Sequence, residues 1–291
     1  MPRNRVIYQS EGLYVSDVAT STTSGRHTQL DRVQSANYNF NIARQDVNQF
    51  GELARIDSIV LESPTVSLDF SYYLTDGGNE AALGFYVPTT QGQTQSQFQS
   101  GQLTDGSGQN FYIVTTNEGS DLNSETTLAG RSVIGIGNAY LTDYTVDLSV
   151  GNIPTVSVSM EGSNMNAFTV SGTTNSGVSA AINQSDGTKL NSTIFIPNAN
   201  SNTGSTIVNA LRPGDVTVSF GTYTGTGAGG ITDLANLHLQ SASLSLPLGR
   251  TPIEKLGSKY AFVRTVDFPI TATLTLNGVQ NDASSGSLVD L

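Results

Sequence analysis

Pro64-Thr65-Val66-Ser67-Leu68-Asp69-Phe70-Ser71-Tyr72 places Val66, Leu68, Phe70 and Tyr72 at every second position, with Thr65, Ser67, Asp69 and Ser71 between them. A period of two is the signature of a strand with one buried face, because successive side chains point to opposite sides of a sheet. The same alternation recurs in 36–42, where Ala36, Tyr38, Phe40 and Ile42 are separated by Asn37, Asn39 and Asn41. It returns at Tyr144/Val146/Leu148/Val150, Val156/Val158/Met160, Val216/Val218/Phe220, Ala242/Leu244/Leu246/Leu248 and Ile270/Ala272/Leu274/Leu276. Each strand is expected to bury its apolar row and to offer hydroxyls, amides or single carboxylates on the other side. Asp76-Gly77, Asp105-Gly106, Asp186-Gly187 and Asn277-Gly278 mark turns.

No long segment carries a helical period, so the chain reads as β-dominated. Short helices are expected where capping residues cluster. Thr251-Pro252-Ile253-Glu254, stopped by Gly257, has the form of an N-cap, a first-turn proline and a capping box. Asp46-Val47-Asn48-Gln49, ended by Gly51, suggests a similar turn of helix, with weaker candidates at 79–84, 206–212 and 232–237.

These two segments belong to a longer repeat. Gln34-Ser35-Ala36 matches Gln240-Ser241-Ala242, and at the same offset Arg44 falls on Arg250 and Gly51 on Gly257. With one gap, Arg55 and Asp57 resemble the neighbourhood of Arg264 and Asp267, and Pro64 matches Pro269. The chain divides into 1–140, with a repeat unit at about 30–80 and a polar loop at 85–130, and 141–291, with polar loops in 165–235 and a second unit at about 237–285.

Composition narrows the function. Of 291 residues 37% are apolar and only 13% charged, about half the usual ~25%, so large surfaces can meet with few charges to desolvate. No cysteine means no disulfide scaffold, thiol nucleophile or cysteine zinc site. His27 and His238 lack a second ligand at metal spacing and read as surface or edge positions. The first fifteen residues lack the apolar core of a secretory signal, and no apolar run approaches the ~18 residues of a membrane helix.

A net charge of −11 opposes tight nucleic-acid binding, and the nine acids without a Lys or Arg from Asp57 to Glu125 suggest one acidic surface. Gly225-Thr226-Gly227-Ala228-Gly229-Gly230 is a formal dinucleotide fingerprint, but no helix and no acid at about 20 residues follow, so it reads as a loop. No catalytic constellation and no cofactor site emerge, and the chain is not expected to be an enzyme.

Three stretches, Leu30–Tyr73, Val133–Gly162 and Leu239–Val279, resemble the major tail tube proteins of tailed bacteriophages, in the right order and over nearly half the chain. The resemblance implies an antiparallel β-sandwich or barrel of the tail tube type, with short helices and long loops. It implies self-assembly into rings, six copies favoured and three the runner-up, stacked into a virion tail assembled in the host cytoplasm. Genome DNA would pass through an acidic lumen without tight binding. The other implied partners are tail proteins (tape measure, initiator or baseplate, terminator); no membrane is involved.

The loop holding Arg44, Gln45, Asp46, Val47, Asn48, Gln49, Phe50 and Glu52, and its counterpart with Arg250, Ile253, Glu254 and Lys255, are expected at subunit or ring–ring contacts. The alternatives are a tail-tip or adhesin-type binding module and, after it, a polysaccharide-degrading enzyme. Few aromatic residues and no tryptophan argue against a sugar-stacking platform.

Overall fold

The structure, a computed structural model, describes residues 11–17, 27–61, 63–87, 108–117, 119–172, 175–184, 186–190, 193–197, 210–216 and 237–280. Its elements in chain order begin β1 (Gly12–Asp17), β2 (Thr28–Gln29), β3 (Val33–Asn41), β4 (Arg44–Val47), β5 (Asp57–Val60), β6 (Thr65–Tyr73), α1 (Gly78–Ala82) and β7 (Gln109–Thr115). They continue β8 (Ser132–Ser149), β9 (Thr155–Gly162), β10 (Asn164–Thr169), β11 (Ser176–Gly177), β12 (Ile194–Phe195), β13 (Leu237–Pro247), β14 (Arg250–Ile253), β15 (Val263–Val266) and β16 (Thr273–Gln280).

Ten strands share one hydrogen-bonded network because β8 serves two antiparallel sheets. Its first half pairs with β7 and β10 in a sheet that continues to β1 and β2. Its second half pairs with β9 and β13, giving the order β3-β6-β9-β8-β13-β16. The change of sheet falls at Asn138, a buried residue with φ of 52°. Asparagine tolerates that left-handed backbone. Its side chain also fixes the corner, donating to the Ile182 carbonyl at 3.0 Å and accepting from the Ile182 amide at 2.8 Å.

The two sheets pack face to face. Val66, Leu68, Phe70 and Tyr72 point inward with Val156, Val158 and Met160, and meet Leu13, Val15, Phe111 and Ile113 of the smaller sheet. The Phe70 and Phe111 rings are 5.8 Å apart. Burying each such side chain is worth ~1.5–3 kcal/mol, which makes this the main stabilising layer. A second apolar layer covers the other side of the smaller sheet, where Tyr14, Tyr112, Val114 and Val133 meet Val170, Ala180, Ile194 and Ile196. The β-dominated fold expected from the alternation is therefore observed, with the antiparallel packing that the resemblance implies.

Several local expectations differ. Arg44–Val47 and Arg250–Ile253 are strands rather than short helices, because each pairs with a returning strand, β4 with β5 and β14 with β15. The helix expected in 79–84 is α1, and residues 210–212 are not helical. Asn277-Gly278 lies inside β16, with Gly278 opposite Leu239, and is not a turn. The polar stretch 85–130 is not all loop: Gln109–Thr115 within it forms β7, paired with β1 and β8. His27 is buried, its ring 5.3 Å from that of Tyr112, a member of the second apolar layer. Asp105-Gly106, the glycines at 225–230 and the alternation at Val218/Phe220 lie outside the described residues.

Candidate assembly surfaces

The sheet β3-β6-β9-β8-β13-β16 is wider than the layer that covers it. At one edge Tyr38 and Phe40 share a face with buried Leu68 and Val66, yet Tyr38 is 43% exposed and Phe40 nearly as much. At the other edge Leu274, paired with Leu244, is 49% exposed. The expectation that every strand buries its apolar row fails at both edges. Alternation reports which residues share a face, not what lies against that face.

The opposite face of this sheet is largely polar, with Tyr73 and Val279 its apolar exceptions toward the strand ends. Register and alternation place Ser35, Asn37 and Asn39 of β3 beside Ser71, Asp69 and Ser67 of β6, and then Ser157 and Ser159 of β9. Beyond them come Asp143, Thr145 and Asp147 of β8, Ser243 and Ser245 of β13, and Thr273 and Thr275 of β16. None of these positions carries Lys or Arg. Ser35 and Ser71 share a 2.7 Å hydrogen bond, and the Ser243 hydroxyl donates to Asp147 at 2.6 Å.

The acids of this face are Asp69 on β6, Asp143 and Asp147 on β8, and Glu161 on β9. The run from Asp57 to Glu125 does not form one surface: Glu80 is buried in the core and Glu125 pairs with Arg131 at 2.5 Å.

Two hairpin arms leave the sheet, and they are the internal repeat made visible. β4 and β14, and β5 and β15, begin and end at equivalent positions of the offset that relates Gln34 to Gln240. The strands feeding them share a bulge, between Val33 and Ser35 in β3 and between Leu239 and Ser241 in β13. At the tips Gly51 and Gly257 have φ of 96° and 85°, a conformation that costs any other residue steric strain. Since β3 and β13 run in the same direction in an antiparallel sheet, both arms project from the same end.

The residues expected at contacts all fall on these arms. Arg44, Gln45, Asp46 and Val47 lie on β4, and Asn48, Gln49, Phe50 and Glu52 at its tip, all exposed. Phe50 and Leu53 are fully so. The Asp46–Arg55 pair at 2.9 Å is exposed on both sides and adds little. Arg250 and Ile253 lie on β14, with Glu254 and Lys255 at the tip. Glu254 accepts from the Ser63 hydroxyl at 2.9 Å, and the Lys255 ammonium lies 6.0 Å from the Phe262 ring centre.

The arms differ in how they are held. The second is anchored by Tyr140, whose ring lies 5.1 Å from the Arg250 guanidinium and 5.8 Å from that of Arg264. Burial draws the Arg250 pKa below its ordinary value. Arg264 is itself buried and ion-paired with Glu161. The first arm has Ser58 at the position of Arg264, and its Arg44 is exposed. Tyr140 and Glu161 gave no signal in the sequence, because their role appears only when β14 and β15 fold back onto β8 and β9.

Among the described residues no helix is long and apolar enough to cross a membrane, and no group of three or more His, Asp or Glu side chains is placed to hold a metal ion.

No family model matches the chain, and no curated protein matches it. Among solved structures it is similar to the SPP1 tail tube, at 13% identity and a TM-score of 0.39, over 58% of this chain and 82% of that one. It is also similar to the sheath–tube complex of the extracellular contractile injection system PVC in its extended state, at 10% identity and a TM-score of 0.37, over 58% and 95% of the chains. A third is the tube-terminating cap of the anti-feeding prophage, at 13% identity and a TM-score of 0.34, over 58% and 94%.

Proposed function

We propose that the chain is a tail tube subunit that joins copies of itself head to tail into a ring, and that rings stack into a conduit. The observation that carries this reading is the pair of edge strands, β3 and β16, each with an exposed apolar row and no outer partner among the described residues, on one six-stranded sheet whose other face is largely polar. Such edges invite intermolecular pairing and are a liability in a monomer. β3 and β16 run in opposite directions, so β16 of one copy beside β3 of the next continues the antiparallel order and keeps every polar face on the same side. A contact of this heterologous kind closes into a ring. The copies then cover the exposed sides of Tyr38 and Leu274 that the smaller sheet leaves open.

The polar face lines the lumen in this reading. Asp69, Asp143 and Asp147, with Ser, Thr and Asn around them, repel phosphate and leave no cation to hold it, so DNA slides past. The arms, standing at one end of the sheet, reach the next ring. Tape measure, initiator and terminator proteins complete the tail. The sequence favours six copies. The twin arms, set four strands apart in one sheet, favour instead a ring of three copies that presents six arms.

Electron microscopy of the purified, concentrated protein tests the function. Rings or tubes with a central hole are expected, and lobes counted end-on separate six copies from three. Compact particles without a hole, binding a glycan or a receptor, would replace this reading with the binding module.

A further inference from the structure

The contact of β13 with β8 lies within one chain, and it gives the β3-type strand of the second repeat unit a neighbour on the side away from its hairpin partner β16. It therefore shows how a β3-type strand and its arm dock when a neighbour is present. At that junction Arg250 stacks on Tyr140, and the adjoining Arg264 pairs with Glu161. Arg44 is the counterpart of Arg250, but among the described residues β3 has no strand on that side. Arg44 has no hydrogen bond or ion pair among the described residues.

We infer that Arg44 is a specificity-determining contact between copies, stacking on Phe268 of the next copy with Asp267 of that copy beside it. The inference rests on the ring proposed above. Antiparallel pairing of the two edges brings the end of β3, at Asn41, beside the start of β16, at Thr273. Arg44 follows Asn41 into the first arm, and Asp267 and Phe268 precede Thr273. The chemistry matches the internal junction: an aromatic face for the guanidinium and a carboxylate close by.

Phe268 is 76% exposed, so most of its ring is open to a second copy. Asp267 is also exposed, and its Oδ2 accepts from Thr251 at 2.8 Å, leaving Oδ1 for the guanidinium. A second copy supplies both ends of the contact, so no other partner is required.

The chain holds no cysteine, which permits a direct test. In an Arg44→Cys, Phe268→Cys double variant the two thiols sit near opposite edges of a six-stranded sheet, roughly 24 Å apart along it, beyond the reach of a short bismaleimide within one chain. Treated rings are expected to give a denaturing-gel ladder that stops at the number of chains in one ring. If the double variant forms rings only when mixed with wild-type protein, a linked dimer is the expected band.

Arg44→Ala is expected to raise the concentration needed for rings roughly tenfold, and Arg44→Lys less. Rings that give no linked species, or rings unaffected by Arg44→Ala, overturn this contact and leave the tube function standing. Wild-type protein that never forms rings overturns both.

Discussion

The Tyr72 hydroxyl donates to Oε1 of Glu80 at 2.8 Å, and the same oxygen accepts from Tyr144 at 3.1 Å, all three groups being buried. This one acceptor ties α1 to β6 and β8 from inside the core. Glu80→Ala removes the acceptor that the two buried phenols share, leaves them only each other, and is expected to cost about 1–3 kcal/mol. The urea midpoint should fall with little change in slope. Glu80→Gln keeps the acceptor and should lose less. Equal losses in both variants would mean that the carboxylate charge, not the hydrogen bonds, holds the site.

The same burial makes the fold sensitive to alkali. Desolvation raises the pKa of Tyr14, Tyr72, Tyr112 and Tyr144 above the ordinary tyrosine value, with Tyr144 and Glu80 adding repulsion at Tyr72. Each folded phenol keeps a proton that the unfolded chain releases at about pH 10. Stability is therefore complete below that pH and falls above it, by up to ~1.4 kcal/mol per pH unit for each group. Circular dichroism and phenolate absorbance, followed together, should show these tyrosines ionising within the unfolding transition. Ionisation of all tyrosines in an intact fold would contradict their burial.

Much of the fold was legible because β6 and β9 obey one simple rule, with Val66 to Tyr72 and Val156 to Met160 alternating in and out. The arms were not, for a physical reason. Thr251-Pro252-Ile253-Glu254 has every local feature of a helix start, but Pro252 lies opposite Arg264, and the pairing with β15 decides the outcome. Local capping preference is worth about 1 kcal/mol and yields to a strand partner. The repeat fared better: its glycines and arginines mark homologous places because a tip needing positive φ and a root facing a neighbouring strand restrict the choice of residue. Tyr38 and Phe40 look as buried in the sequence as Leu68 does, since nothing local encodes the missing cover.

Gly137 provides a test of the corner in β8. A methyl group added there would lie 2.0 Å from the Ala180 carbonyl oxygen and 2.4 Å from its carbon, both backbone atoms of the segment that Asn138 holds. That segment cannot withdraw without giving up the two Asn138 hydrogen bonds. Gly137→Ala is expected to destabilise by ~3 kcal/mol or more, at the upper end of overpacking effects. Gly51→Ala meets no atom within 4 Å and carries only the strain of its φ, about 1–2 kcal/mol, confined to the arm. Thermal melts of the two variants should therefore separate clearly, and similar melting temperatures would show that the Ala180 segment is looser than its contacts imply.

The arm tips separate folding from assembly. Phe50 and Leu256 are fully exposed in the single chain, so neither contributes to its core. In the proposed tube these two related tips meet the next ring. Phe50→Asp and Leu256→Asp should leave the melting temperature of the monomer unchanged, because no buried contact is lost. Placed against the next ring, each aspartate would have to be desolvated without a partner, and stacking should fail. The expected result in electron microscopy is single rings in place of tubes, since in the proposed ring closure runs through β3 and β16 rather than through the tips. Tubes of normal length and stability from the double variant would remove the arms from the ring–ring contact. Loss of the rings as well would place the tips between neighbours within a ring.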